Sequence, residues 1–188
     1  MIKIRKGTRA ELRKYYTVME IDFDEKELLG KQTMQKGLAE GSLDMWVAYE
    51  DESGIDIAYA VVLPKCVYGY AIIKYLGVFP WYRNKGVGTD VMRLLLAEYK
   101  DTTGLIAEIP VFEENDDEQI TRLRNFFKRF GFEEVKADYR IGGAPVILMC
   151  RPVTGTADIA PVSHRIITDI YTRFIPVEQI DIHKLKEV

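Results

Sequence analysis

The amino-acid sequence predicts an α/β fold in which a mixed sheet is flanked by helices. Short runs rich in β-branched and aromatic residues alternate with segments whose apolar residues recur at three- and four-residue steps. The predicted order is a strand, two helices, three strands, a helix, a strand, a helix and two closing strands, with a further helix near the C-terminus. At 188 residues with 47% hydrophobic side chains, the chain is long enough for one well-buried core.

The composition argues against two classes of partner. A net charge of -3 and a pI near 5.6 give no basic excess, so we expect neither nucleic acid nor an anionic membrane to bind. No stretch approaches the roughly 20 apolar residues of a membrane span, and the N-terminus lacks the apolar run of a signal peptide. A cytoplasmic protein is therefore the expectation.

The cysteines and histidines do not suggest a metal site. Cys66 and Cys150 are far apart in the chain without the spacing of metal ligands, and we interpret both as buried free thiols. His164 and His183 are too isolated near the C-terminus to form such a site. The sequence thus predicts no bound metal.

The first half of the chain carries clear boundary signals. Thr8 and Glu11 form a capping box, in which each side chain accepts a hydrogen bond from the other's backbone amide, so a helix should start there after a short strand from Ile2. A second helical stretch runs toward Gly41. Further strands are predicted at 45–49, 57–63 and 68–79, the first two as a hairpin.

The second half alternates helices and strands before a final helix. The helix that follows Gly86 should bury a stripe of Val87, Val91, Leu94 and Leu95. A strand at 105–109, a helix ended by Gly131 and strands at 132–139 and 145–153 come next. The last helix starts at about Ser163 and carries one apolar face, formed by Ile166, Ile167, Ile170, Tyr171 and Phe174. We divide the chain into a domain at 1–153 and a C-terminal extension at 154–188.

The segment Arg83-Asn84-Lys85-Gly86-Val87-Gly88 is a glycine-containing turn that leaves a strand and opens a helix. Such a turn offers unpaired backbone amides to an anion, and the helix dipole adds to the attraction. Both glycines let the backbone approach a ligand and take up positive φ, while the arginine and the lysine supply charge. The turn therefore predicts a phosphate site. A Rossmann site is disfavoured because Val91 occupies the position of the third glycine.

The longer string from Leu76 to Thr89, Leu-Gly-Val-Phe-Pro-Trp-Tyr-Arg-Asn-Lys-Gly-Val-Gly-Thr, resembles the signature of the GNAT N-acetyltransferases. In that family an apolar strand, a Pro-x-Tyr-Arg segment and an Arg-x-x-Gly-x-Gly loop come in this order and spacing. A second family motif is matched by residues 125–132, at the end of a helix and before a strand. The resemblance spans residues 1–153 and implies a mainly antiparallel central sheet of about six to seven strands, flanked by helices.

The resemblance also implies a co-substrate and the residues that bind it. In the family, amides of this loop bind the pyrophosphate of acetyl-coenzyme A (acetyl-CoA), and the preceding strand aligns the pantetheine arm. The implied binding residues of this chain are Leu76, Val78, Arg83, Asn84, Lys85, Gly86, Val87, Gly88 and Thr89. The implied activity is transfer of an acetyl group from acetyl-CoA to an amine, which attacks directly in a ternary complex. Backbone near Val78 would stabilise the developing oxyanion.

Glu108 is the candidate general base, which would remove a proton from the attacking amine. It is a charged residue inside the apolar run 105–109, which is unusual for a buried strand, and it aligns with an acidic residue that the family often uses. The alternative is a glutamate near the strand end that is solvated or paired with Arg122 or Arg124. The residues leave both interpretations open.

The sequence departs from the family pattern at Phe127, where many members carry a tyrosine that protonates the leaving thiolate. Phenylalanine has no proton to donate. Either Tyr139, near the closing strands, takes this role, or the thiolate leaves unassisted. Phe127 also keeps a second hypothesis open, a GNAT-fold module that binds coenzyme A with little or no turnover.

Two further expectations concern the acceptor and the last helix. In this fold the acidic stretch at residues 20–27 borders the acceptor site, and its carboxylates favour a cationic amine on a small molecule or a peptide. The amphipathic helix from Ser163 has three candidate partners: the substrate cleft, the sheet of its own domain, or a second subunit in a homodimer. We favour packing on its own domain.

Overall fold

The computed structural model describes residues 1–64, 68–111, 117–136, 139–141, 144–153 and 160–174. The strands are β1 (Ile2–Lys6), β2 (Asp44–Glu50), β3 (Asp56–Leu63), β4 (Tyr70–Val78), β5 (Gly104–Pro110), β6 (Glu133–Glu134), β7 (Tyr139–Ile141) and β8 (Ala144–Pro152). The helices are α1 (Arg9–Asp22), α2 (Lys31–Glu40), α3 (Val87–Glu98), α4 (Asp117–Lys128) and α5 (Ala160–Tyr171), with a short 3₁₀ helix at Pro80–Tyr82. The chain falls into two compact units, one of residues 1–64 and 73–101, the other of the described parts of 65–72 and 102–188.

The first unit contains a buried antiparallel sheet with helices packed on it. β2 lies between β1 and β3 and pairs with both, with Ile4 opposite Ala48 and Val47 opposite Tyr59. β3 is buried along nearly its whole length, which explains its continuous apolar sequence. α3 contacts β1 and β3, and α2 contacts α1 and β2. β4 follows β3 in the order of strands within the sheet, and the chain continues from its end into the predicted phosphate turn.

The N-terminus of α1 is fixed by the predicted capping box. The Thr8 hydroxyl accepts a hydrogen bond from the Glu11 amide at 3.2 Å, and the Glu11 carboxylate accepts one from the Thr8 amide at 2.8 Å. Arg5 on β1 forms an ion pair with Glu11 at 2.6 Å. The Glu11 carboxylate therefore joins the start of the helix to the neighbouring strand.

The second unit is organised around β8. β5 pairs antiparallel with one side of β8, with Glu108 opposite Leu148, and β6 and β7 pair with β8 as well. α4 contacts β5. On α5 the predicted apolar face is confirmed for Ile166, Ile167, Ile170 and Tyr171, which are buried, whereas Phe174 lies in a turn after the helix and is half-buried. The helix starts at Ala160 rather than at about Ser163, and its buried face lies within the second unit.

The predicted fold class is confirmed, with one correction to the number of strands. The sheet has eight strands in the described chain instead of six to seven, because the strand predicted at 132–139 forms two separate pieces, β6 and β7. Between the pairs Glu134–Met149 and Tyr139–Val146 the chain advances five residues against three on β8. A continuous ladder requires equal steps on both strands, so the pairing must break between them.

Cys150 is buried in β8, as predicted. Burial, together with the nearby Glu133 carboxylate, raises the pKa of its thiol to about 12, so it stays protonated and unreactive at neutral pH. Cys66 and His183 lie outside the described residues, and His164 is exposed on α5. None of the helices that the structure describes combines the length and the apolarity needed to cross a membrane.

We expect Glu11→Gln to lower stability in a pH-dependent manner. The hydrogen bond from Arg5, with those from Thr8, lowers the pKa of Glu11 from 4.5 to about 2. Because the folded pKa is depressed, this stabilisation is complete above about pH 4.5 and is lost as the pH falls toward 2. Urea unfolding should therefore show a gap between wild type and variant at pH 7 that narrows below about pH 4.5. A gap that does not change with pH would contradict this assignment.

Candidate functional site

The turn between β4 and α3 contains two left-handed residues. Asn84 has φ 60° and Gly86, the N-cap of α3, has φ 81°. An added Cβ at Gly86 would meet no atom within 4 Å, so the backbone conformation rather than space favours glycine there. Gly88 lies in the first turn of α3 and is not among the residues with positive φ. The predicted need for positive φ is thus confirmed at Gly86 and wrong at Gly88, where the helix sets the backbone.

The backbone amides of this turn lack partners within the described chain. In the described chain no hydrogen bond is found for the amides of residues 84–88, whereas the amides of Thr89 and Asp90 donate to the Gly86 carbonyl at 2.9 and 3.2 Å. Residues 84–86 are exposed. Unpaired amides at a helix N-terminus carry partial positive charge and attract anions. The predicted phosphate turn therefore has the geometry of an anion site.

Arg83 serves a structural role beside the turn. Its Nε donates to the Val78 carbonyl at 2.8 Å, and its guanidinium forms an ion pair with Asp22 at 2.6 Å. Asp22 is the last residue of α1 and also accepts a hydrogen bond from the Tyr59 hydroxyl at 3.0 Å. Burial and the Asp22 carboxylate raise the pKa of Tyr59 well above its ordinary value, so this hydroxyl remains a donor. The network fixes the end of β4 against α1.

Lys85 is the cation of the turn that lacks a carboxylate partner within the described residues. Its Nζ lies 5.7 Å from the centre of the Tyr82 ring, and the side chain is exposed. Because Asp22 already neutralises much of the charge of Arg83, Lys85 supplies the available charge beside the amides.

The end of β4 is shaped by Gly77, which lies between Leu76 and Val78. A Cβ at Gly77 would lie 2.2 Å from the Tyr59 ring, so only glycine leaves room for that ring. Leu76 and Val78 are half-buried, and they alternate with buried neighbours along the strand. Both predicted pantetheine-contacting residues thus have accessible surface next to the turn.

Glu108 is held by a residue that the sequence analysis did not assign to the site. It is half-buried on β5, and the hydroxyl of Tyr171, the last residue of α5, donates to its carboxylate. Both carboxylate oxygens lie within reach of that hydroxyl, and Tyr171 itself is fully buried. The alternative pairing with Arg124 is wrong, because Arg124 lies 3.1 Å from Glu134 instead.

Tyr139, the predicted proton donor, lies on β7 and is 4% exposed. It stands opposite Val146, while Glu108 stands opposite Leu148 on the other edge of β8. Since residues two apart on a strand share a face, Tyr139 and Glu108 lie on the same face with β8 between them. Two strand spacings separate their backbones by roughly 10 Å.

The two groups of predicted residues belong to different units. The binding residues of 76–89 lie in the first unit, and Glu108, Tyr139 and Tyr171 lie in the second. Phe127 is buried in an aromatic cluster, with its ring 5.4 Å from those of Phe126 and Phe132. This position therefore has a packing role and provides no hydroxyl.

The sequence contained a signal for the role of Tyr171, but that signal did not identify the partner of its hydroxyl. A tyrosine on a helix face of isoleucines brings a hydroxyl into the core, and a buried hydroxyl needs a partner. The partner lies 63 residues away in sequence, and helical periodicity alone does not identify it.

A sequence model of the acetyltransferase (GNAT) domain matches residues 41–134, half of the 188-residue chain. The chain belongs to the GNAT acetyltransferase family. The matched segment contains the turn at 83–88 and Glu108, and it ends before Tyr139 and Tyr171. No match was found among curated proteins.

Solved GNAT structures support the same fold. A GNAT-family structure from Bacteroides thetaiotaomicron has a TM-score of 0.72 at 17% identity and covers 90% of this chain and 96% of its own. The ribosomal-protein-S18-alanine N-acetyltransferase from Escherichia coli has a TM-score of 0.61 at 18% identity, with coverages of 83% and 96%. Mutant forms of the spermidine/spermine N-acetyltransferase from Vibrio cholerae give 0.60 at 11% identity, with coverages of 81% and 95%.

Proposed function

We propose that this GNAT protein transfers an acetyl group from acetyl-CoA to an amine by direct attack in a ternary complex. The observation that carries the proposal is the turn at 84–88, which is exposed at 84–86, whose amides have no partner in the described chain and which opens α3. We call this group of amides at 84–88 the cradle. A pyrophosphate is the ligand that suits it best, because a pyrophosphate presents several anionic oxygens to several donors. The left-handed Gly86 ends the turn as the N-cap of α3.

The binding roles divide among three groups of residues. The amides of residues 84–88 would hold the pyrophosphate, with Lys85 adding charge and the Thr89 hydroxyl an additional donor. Leu76 and Val78 would line the pantetheine arm with half-buried apolar surface. Arg83 would act indirectly by fixing the end of β4 through Val78 and Asp22.

We assign the oxyanion donor to the backbone amide of Val78. The two polar groups of the next peptide bond already form hydrogen bonds within the protein. The Val78 carbonyl accepts one from Arg83, and the Phe79 amide donates one to the Ile57 carbonyl at 2.9 Å. The Val78 amide would donate to the carbonyl oxygen as negative charge develops there. A preorganised donor of this kind contributes largely to acyl-transfer rates.

Glu108 would act as the general base. Acetyl-CoA, when bound, supplies an acetyl group activated as a thioester. Glu108 would accept the proton of the attacking nitrogen while the nitrogen–carbon bond forms, and the coenzyme A thiolate leaves as the carbon–sulfur bond breaks. Tyr139, on the same face as Glu108, is the candidate donor of a proton to that thiolate.

The acceptor class that we propose is a cationic amine. Glu20 and Glu25 are exposed near the end of α1, whereas Asp22 is occupied by Arg83 and Tyr59. Exposed carboxylates attract an ammonium group. Structural neighbours act on spermidine and spermine or on an alanine of ribosomal protein S18, and both substrates carry amines.

A second candidate function is a coenzyme A-binding module with little turnover. The observation in its favour is Phe127, which fills an aromatic cluster where the family often has a tyrosine hydroxyl. Binding without turnover across a broad amine panel would favour this alternative.

Calorimetric titration of acetyl-CoA tests the cradle. We expect saturable binding by the wild type and loss of binding by Gly86→Glu, because the new carboxylate would repel the pyrophosphate. Gly54→Glu is the matched control, since Gly54 also has positive φ, at 67°, and open space around it, but lies between β2 and β3. A folded wild type that does not bind, or equal losses in both variants, would contradict the cradle.

The base assignment predicts a selective loss in Glu108→Gln. The glutamine keeps an acceptor oxygen for Tyr171 but is not a base, so kcat should fall by about 10²-fold or more while acetyl-CoA binding persists. The measurement is thiol release with an amine panel, with calorimetry on the same samples. Glu134→Gln, which alters a half-exposed partner of Arg124, should leave kcat unchanged. Full activity of Glu108→Gln would remove the base assignment.

A further inference from the structure

The last residue of the C-terminal helix α5, Tyr171, contacts Glu108 on β5. Ile166, Ile167 and Ile170 are at most 1% exposed, and Tyr171 is 0% exposed. The hydroxyl at the end of this apolar face therefore has no access to water and depends on a partner within the protein. That partner is the half-buried carboxylate of Glu108 on β5.

We propose that Tyr171 is a positioning residue, which orients the Glu108 carboxylate for proton abstraction and so makes the C-terminal helix part of the active site. The inference rests on the proposed function, in which Glu108 is the general base. Tyr171 lies outside the family match at 41–134, so this contribution comes from the helix that follows the matched domain.

The geometry supports orientation rather than simple packing. A glutamate side chain has several rotatable bonds, and hydrogen bonds to its carboxylate restrict the orientations that it samples. The Tyr171 hydroxyl donates within reach of both carboxylate oxygens, which restricts the position and the plane of the carboxylate together. A base that is misplaced by about 1 Å loses on the order of 10²-fold in rate.

The helix that carries Tyr171 also forms a hydrogen bond from its middle to a residue that precedes β4. Arg165 hydrogen-bonds to the hydroxyl of Tyr68, and this bond raises the pKa of the guanidinium. Asp169 pairs with Arg173 at 3.1 Å, an i,i+4 contact that supports the end of the helix itself. The buried isoleucine face of α5, on which Tyr171 also lies, holds the Tyr171 hydroxyl in place. A buried phenol on a fixed helix is suited to define the orientation of a carboxylate.

A double-mutant cycle tests this role with Tyr171→Phe, Glu108→Gln and the combined variant. We expect Tyr171→Phe to lower kcat by about 10-fold or more, with the KM for acetyl-CoA changed by less than about twofold. In the Glu108→Gln background, Tyr171→Phe should cause no further loss, because there is no base left to orient.

Tyr99→Phe is the matched control. Tyr99 is 7% exposed in the first unit, and its hydroxyl donates to Asp44 at 2.6 Å and accepts from the Trp46 indole at 3.0 Å, so the same chemical change removes buried hydrogen bonds elsewhere. It should lower the urea midpoint without changing kcat. Urea unfolding and circular dichroism on every variant separate loss of folding from loss of rate.

The outcomes separate this inference from the function on which it rests. Wild-type kcat in Tyr171→Phe, or losses that add in the double variant, would overturn the positioning role while leaving Glu108 as the base. Full activity of Glu108→Gln would overturn the base assignment and the inference with it. Loss of kcat in Tyr171→Phe alone, absent in the Glu108→Gln background, is the result that supports it.

Discussion

A helix that begins directly after a turn leaves its first amides without partners, and the candidate site depends on how this protein directs those amides. Asn84 and Gly86 adopt left-handed conformations, residues 84–86 are exposed, and the amides of residues 84–88 have no partner in the described chain. Pairing them within the protein would remove the donors that an anion needs. These unpaired amides, together with the dipole of α3, are what we propose would attract phosphate to a chain of net charge -3.

The residues before the turn support this arrangement by fixing the end of β4. Arg83 joins the Val78 carbonyl to Asp22, and Asp22 also holds the Tyr59 hydroxyl. Gly77 leaves the space that the Tyr59 ring occupies, so the position of this large ring depends on the absence of a side chain at residue 77. Arg83, the arginine of the family motif, therefore connects the end of β4 to α1, and Lys85 carries the accessible positive charge of the turn.

The sequence predicted what local patterns determine and missed what long-range packing determines. The capping box at Thr8, the left-handed Gly86 and the apolar face of α5 follow from spacing of a few residues, and all are confirmed. Glu108 was noticeable because a charge interrupts an apolar strand. The bond between Tyr171 and Glu108, and the division of 132–139 into β6 and β7, depend on contacts between distant segments, which periodicity does not encode.

The most direct test of the central claim is a titration of the isotope-labelled protein with coenzyme A, followed through the backbone amide signals by NMR. We expect the largest shifts on the amides of residues 84–89, and we expect these shifts to saturate with a single affinity. Shifts concentrated elsewhere in the chain, or none in this turn at saturating coenzyme A, would contradict the claim.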